Sequence, residues 1–357
     1  MKRLSLAAFA AVAVGTLLAV PSFAAGPGFK IVKHIKMPDG DFDYGTIDSA
    51  KGRVFWARDG QITMFNVKTG QITELVGGPN GHAAVPVPGT DLIVESHGVP
   101  SVVGPAAATS GIAVIDIKAN KIVADIPAGR PAAGAPKGPP TGFPDGATYD
   151  PASKLVYVMT HFDAIAYAVN PRTRKLVAQV AVGTKDQESP AADGKGHLFI
   201  TSPGSKEISV VDTKTQKVTG HYPLSCGASG LAYASRSNLL IAECDDDGLA
   251  EVVDAKTGKT VASVTIGHGA DSVQYDAKDQ LAMIPCQEEG KLYVISVGNP
   301  KHVALVQTAD SVVGTRTGAW DENTDHGYYM AGKSTGKRVH GHLILQPGTL
   351  EMLVVAK

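Results

Sequence analysis

The sequence predicts an all-β chain folded as a seven-bladed β-propeller with four-stranded blades. Three observations predict it. A hairpin motif recurs along the chain, a pair of short strands stands ahead of each copy, and turn-forming residues are plentiful, with Gly 40 and Pro 22 among 357 residues. Almost no helical periodicity interrupts the strand-like runs.

The hairpin motif comes first. It reads as a β-rich run, Asn or Asp, one residue, Lys or Arg, two residues, then Gln or Lys before a second β-rich run. Its copies are Asn66-Val-Lys68-Thr-Gly-Gln71, Asp116-Ile-Lys118-Ala-Asn-Lys121, Asn170-Pro-Arg172-Thr-Arg-Lys175, Asp212-Thr-Lys214-Thr-Gln-Lys217 and Asp254-Ala-Lys256-Thr-Gly-Lys259. Ser296 opens a degenerate sixth. From Asn170 to Ser296 the copies stand 42 residues apart, and the two earlier gaps are 50 and 54. The Asn or Asp side chain accepts a backbone N–H two residues on, which forms an Asx turn. Gly, Asn or Gln in the middle tolerates the tight geometry.

The strand pairs come next. Gly146-Ala-Thr-Tyr-Asp150 precedes Leu155-Val-Tyr-Val-Met159, and Ser272-Val-Gln-Tyr-Asp276 precedes Leu281-Ala-Met-Ile284. Four strands in about 42 residues is the blade of a propeller. A β-sandwich needs no fixed repeat and accounts for the spacing less well. First strands are expected to begin near Tyr44, Ala83, Gly146, Ser189, Gly230, Ser272 and Thr317, which counts seven blades. The last set ends on Leu350–Val355 as a third strand with no fourth behind it. Phe29–Lys36 resembles the fourth strands at Lys121–Ile126 and Lys175–Val180, so the N-terminal strand is expected to complete the last blade. Such closure removes an exposed sheet edge.

At Val210-Val-Asp-Thr-Lys-Thr-Gln-Lys-Val218 and Val252-Val-Asp-Ala-Lys-Thr-Gly-Lys-Thr260, running on to Gly267, the chain resembles the YncE-like, YVTN-type propeller repeat family. The resemblance covers the chain beyond its first two dozen residues and implies a propeller. One branch of that family implies nucleic-acid binding. The family's usual Asn at the end of the second strand is replaced by Arg58, Ser96, Thr160, Ser202, Glu243 and Pro285.

Composition bounds the rest. Lys+Arg 33 against Asp+Glu 34 gives a net charge of −1, so a basic nucleic-acid footprint is absent and nucleic acid is not the expected partner. Residues 1–24 read as a secretory signal peptide: Lys2 and Arg3, an apolar run from Leu4 to Val20, then Ser22-Phe23-Ala24 as the cleavage site. The run is short for a membrane anchor and ends in Pro21. The propeller is then expected over 25–357, periplasmic or secreted, monomeric and without membrane insertion. Three Cys in an oxidising compartment allow one disulfide among Cys226, Cys244 and Cys286, with the pairing open.

The working face follows from the topology. In a propeller, second-to-third connections and the links between blades share one face. Segments 97–110, 130–142 and 332–342 are long and fall on that face, and long loops usually carry function. Two rings should line its mouth. The residue ahead of each first strand supplies Asp43, His82, Asp145, Glu188, Ser229, Asp271 and Arg316. The residue past each second strand supplies Asp59, His97, His161, Pro203, Cys244, Cys286 and Lys333. Four carboxylates in the first ring would repel one another unless paired with Arg316, a cation or protons.

These rings lead to two expectations. The first is a propeller binding a small molecule or a periplasmic protein through Asp43, Asp59, Asp145, Asp271, Arg316 and Lys333. The second is a metal-assisted hydrolase or lyase, with a divalent transition metal held by His82, His97, His161 and Glu188, and Asp145 close by. Asp145 or Asp271 facing His82 or His268 would suit acid–base work, and His340 with His342 forms another candidate pair. The plainer alternative is that these carboxylates accept backbone N–H groups at blade starts and that the histidines hydrogen-bond across blades.

Overall fold

The computed structural model describes residues 28–98, 110–129, 143–161, 163–339 and 342–357. The expected leader at 1–24, most of segment 97–110, all of segment 130–142, and His340 lie outside the described residues. Seven four-stranded antiparallel sheets form a ring. Six blades span 45–76, 81–127, 144–181, 190–223, 231–265 and 274–310 in chain order. The seventh takes Gly318–Asp321, His326–Ala331 and Glu351–Ala356, and its outermost strand is the N-terminal Lys30–Lys36. Every first strand begins within two residues of its expected start.

The turns form as their side chains dictate. Asn66, Asn170, Asp212 and Asp254 each accept backbone N–H groups two and three residues on, at 2.7 to 3.1 Å. The fifth turn residue is left-handed in each copy: Gly70, Asn120, Arg174, Gln216 and Gly258. Arg174, at φ 61°, shows that the Asx bond imposes the turn even on a residue with no preference for that region.

No single core fills the ring. Seven apolar clusters each wedge between two neighbouring blades. The wedge between blades one and two, for example, joins Phe55 and Ile62 to Ala84 and Ile93. Blades are also clipped together near the channel. Ser96 Oγ donates to Asp145 O at 2.5 Å, Thr201 Oγ1 to Ser229 O at 2.9 Å, and Thr317 Oγ1 to Asp43 O at 2.8 Å.

The faces sort as expected. Turns after third strands bond turns between first and second strands, as in Val67 N–H to Gly52 O at 2.9 Å and Thr213 N–H to Gly196 O at 2.9 Å. On the other face the link between blades meets the second-to-third connection, as in Gly98 N–H to Asn80 O at 3.1 Å. One expectation is corrected here. Segment 332–342 is not a plain loop, because Ser334–Val339 and His342–Leu345 pair as an antiparallel hairpin that stands over the channel mouth.

The disulfide joins Cys226 to Cys244, 18 residues apart. Closing a loop of that size stabilises the fold by about 3 kcal/mol. Cys286 is a free, buried thiol in the wedge between blades five and six, and burial pushes its pKa up. Cys244 and Cys286 therefore belong to apolar wedges and not to the channel mouth.

Candidate functional site

The residues around the start of each first strand lie where the chain dives toward the channel, so their side chains converge: Asp43 and Glu188 stand two residues ahead of their strands, whereas His82 and Asp145 are the second residues within theirs. Blades one to four contribute an unbroken line of acids and imidazoles. Asp43 Oδ2 lies 2.7 Å from His82 Nδ1, which lies 3.8 Å from Asp145 Oδ1. His161 Nε2 lies 2.5 Å from Asp145 Oδ2 and 2.7 Å from Glu188 Oε2. All five are at most partly exposed.

Local structure sets this spacing. Phe143 wedges between the imidazoles, 4.4 Å from the His82 ring and 5.2 Å from the His161 ring. Gly146 follows Asp145 because a Cβ there would stand 2.2 Å from Glu188 O, so only glycine lets blades three and four approach this closely. The Ser96 hydroxyl fixes the Asp145 carbonyl from blade two.

The line is electrostatically self-consistent. Burial opposes charge on His161, but Glu188 and Asp145 outweigh it and raise its pKa to about 11. Burial likewise opposes charge on His82, and the bond to Asp43 with the nearby Asp145 raises it. Asp145 lies between two imidazoles, which overcome burial and hold its carboxyl below the usual range. Asp43 has one imidazole, and burial lifts it. Burial and then Asp145 push Glu188 to about 8.

The line opens into a cavity of about 930 Å³. Among the described residues, six carboxylates line it (Asp39, Asp41, Asp43, Asp59, Asp145 and Glu188) against two guanidinium groups, Arg58 and Arg316, and three histidines. Opposite, the blade-seven hairpin supplies an apolar wall of Leu343, Ile344 and Leu345. That hairpin is anchored by Leu343 N–H to Gln287 Oε1 at 3.0 Å and by Arg338 to Glu288 at 2.6 Å. Arg316 Nε donates to Asp271 Oδ2 at 3.2 Å and its Nη2 to Phe42 O at 2.5 Å, with its guanidinium 4.6 Å over the Phe42 ring.

Several sequence-level site residues stand elsewhere. His97 does not join His82 and His161; its Nε2 meets Asp125 Oδ1 at 3.0 Å. The pleat explains it. His97 is still in its strand, so its side chain points opposite to Ser96, back toward Gly78 in the link from blade one. A Cβ on Gly78 would meet that ring at 2.3 Å. His161 lies one residue past its strand, free of the pleat. Lys333 is exposed and does not line the cavity. Asp59 stays at the exposed rim, accepting Asn80 N–H at 2.9 Å. Asp271 is taken by Arg316, and His268 pairs with Glu289 at 3.0 Å on the surface. His342 lies 4.0 Å from Asp271.

Phe143, Arg58 and the hairpin wall were not singled out as site residues from sequence. Phe143, two residues ahead of a ring carboxylate, carried a usable signal; the wall did not.

In the second strand of blade five, Glu243 is fully buried and accepts Gly230 N–H at 2.6 Å. Burial, then Asp245, pushes it up to about 8. The folded state thus holds a proton that the unfolded chain releases above its ordinary pKa of about 4.3. Its contribution to stability is present at low pH and lost as pH rises from about 4 to 8. At about 1.4 kcal/mol per pH unit the loss is on the order of a few kcal/mol. Glu243→Gln should flatten this part of the profile and be the more stable protein at pH 9. Urea denaturation from pH 5 to 9 checks it, and parallel profiles for the two proteins would refute it.

No family model matches the chain, and no curated protein matches its sequence. Solved structures match its shape. A chain in the crystal structure of a mitotic checkpoint complex aligns with a TM-score of 0.70 at 9% identity, covering 100% of both chains. The WD40 repeats of RRP9 align with a TM-score of 0.72 at 9% identity, covering 91% of this chain and 97% of that one. U3-55K aligns with a TM-score of 0.70 at 10% identity, covering 91% and 99%. At these identities the likeness establishes the seven-bladed propeller fold.

Proposed function

We propose that the chain is an exported propeller of the YVTN-repeat type that binds a small cationic ligand at its channel mouth. The observation that carries this reading is the line Asp43–His82–Asp145–His161–Glu188, opening into a cavity of about 930 Å³ with excess carboxylates. Acidic walls around a funnel raise the local concentration of cations. The hairpin wall offers apolar contact for the remainder of an organic ligand. The leader at 1–24 and the Asx-hairpin repeats support export and family.

The test uses protein recovered from a periplasmic fraction, with a mass expected to lack residues 1–24. Linear polyamines and divalent metal chlorides should raise its thermal midpoint, whereas phosphate and citrate should not. A ligand at one hundred times its Kd contributes about 2.7 kcal/mol. Asp145→Asn should abolish the rise. Stabilisation by the anions alone would overturn the reading.

A further inference from the structure

We infer that the channel mouth is a dinuclear site in which Asp145 bridges two divalent transition-metal ions. The inference rests on the cationic-ligand reading and names its ligand.

The donors fall into two sets, Asp43, His82 and Asp145, and Asp145, His161 and Glu188, with one ligand atom from each residue lying within 4.8 Å of the others in its set. Asp145 belongs to both sets and offers each a different oxygen. Its Oδ1 faces His82 Nδ1 at 3.8 Å and its Oδ2 faces His161 Nε2 at 2.5 Å. A carboxylate used through both oxygens suits two ions about 3.5–4 Å apart, the spacing of two-metal sites. Ligands about 2.1 Å from a tetrahedral ion stand about 3.4 Å from one another. The donor separations of 2.5, 2.7, 2.7 and 3.8 Å bracket that value, so shifts of about 1 Å or less admit the ions.

A second observation points the same way. The Asp145 side chain is 8% exposed, and its Oδ1 is buried without a hydrogen bond among the described residues. A buried carboxylate oxygen without a hydrogen bond, facing the His82 ring at 3.8 Å, leaves a coordination position for a cation.

The donor set selects the metal. One imidazole and two carboxylates per ion suit zinc, cobalt, manganese or nickel, whereas calcium takes six to eight oxygens and soft copper(I) prefers sulfur. Each ion would have three protein ligands. Its remaining positions would face the cavity, open to water or to the polar end of a ligand. His97 takes no part, since its imidazole meets Asp125.

The test titrates the metal-free full chain with Co²⁺ and Mn²⁺, counting bound ions by equilibrium dialysis. The wild type should bind two equivalents. His82→Ala and His161→Ala should each keep one, Asp145→Asn should lose the pair, and His97→Ala should keep both. Mn²⁺-loaded wild type should show a spin-coupled EPR spectrum, and the single-histidine variants an isolated-ion spectrum. Far-UV circular dichroism confirms that each variant is folded. A single equivalent in the wild type, or two that persist in Asp145→Asn, overturns the inference. Polyamine stabilisation without metal binding overturns the dinuclear site and leaves the cationic-ligand reading standing. Binding of neither overturns both.

Discussion

A chain lacking residues 28–36 should fail to reach the native fold. Lys30–Lys36 is the outermost strand of blade seven, paired in antiparallel register from Lys30 opposite Ala356 to Lys36 opposite Glu351. Just ahead of it, Phe29 is locked to blade six by two hydrogen bonds with Gln307, at 2.8 and 2.9 Å, and packs 5.8 Å from the Trp320 ring. Deletion removes a ladder, the buried Phe29, and the cover over Met352, Leu353, Val354 and Val355, all of which are buried. Burying a single Phe contributes about 1.5–3 kcal/mol, and the bared edge invites pairing with another chain. The deletion variant should lose its cooperative thermal transition by circular dichroism and aggregate. A circular permutant that links Lys357 to Gly28 and opens the turn at Gly194–Lys195 should stay folded, because the same strand closes the same blade. Lys357 already lies over the Phe29 ring, with Nζ 5.9 Å from its centroid. A deletion variant with an unchanged transition would show that the ring does not need this strand.

Arg316→Ala should cost about 3–5 kcal/mol at pH 7, the usual penalty for breaking a buried ion pair from one side. Arg316 is 3% exposed and ties three blades together: its own, blade six through Asp271, and the segment entering blade one through the Phe42 carbonyl and ring. Burial and Asp43 already raise Asp271 well above the ordinary carboxylate range, with Arg316 opposing them. Without the guanidinium that rise steepens. A carboxyl whose folded pKa is raised favours the fold at low pH and opposes it above its unfolded pKa. The penalty should therefore shrink as pH falls toward 4. Urea denaturation at pH 7 and pH 4.5 checks both size and sign. The double variant Arg316→Met/Asp271→Asn should recover most of the loss, since no buried charge is left alone. A penalty under about 1 kcal/mol with no pH dependence would contradict the assignment.

These two results probe different layers of legibility. The closing strand was readable because Phe29–Lys36 carries the alternation of the other fourth strands, and blade seven visibly lacked one. The Asp43, His82, Asp145 and Glu188 positions were readable because each stands within two residues of the start of a first strand, where every blade enters at the channel. The Arg316–Asp271 pair was legible only as two members of a ring, since nothing local says that neighbours in blades six and seven face each other.

By itself the sequence determined the repeating blade, the turn chemistry and the seven-fold count, because Asx turns and strand alternation act within a few residues of one another. Tertiary structure alone decided which ring members meet. His97 and His161 fall in one ring on the sequence pattern, yet His97 is the last residue of its strand and His161 the first beyond its own, and a one-residue difference in a period-two pleat turns a side chain to the opposite side. Tertiary structure also chose Cys226–Cys244 among three pairings and paired Ser334–Val339 with His342–Leu345, which sets Leu343, Ile344 and Leu345 facing the acids. Each of these depends on how blades close against one another, a long-range outcome that no local pattern encodes.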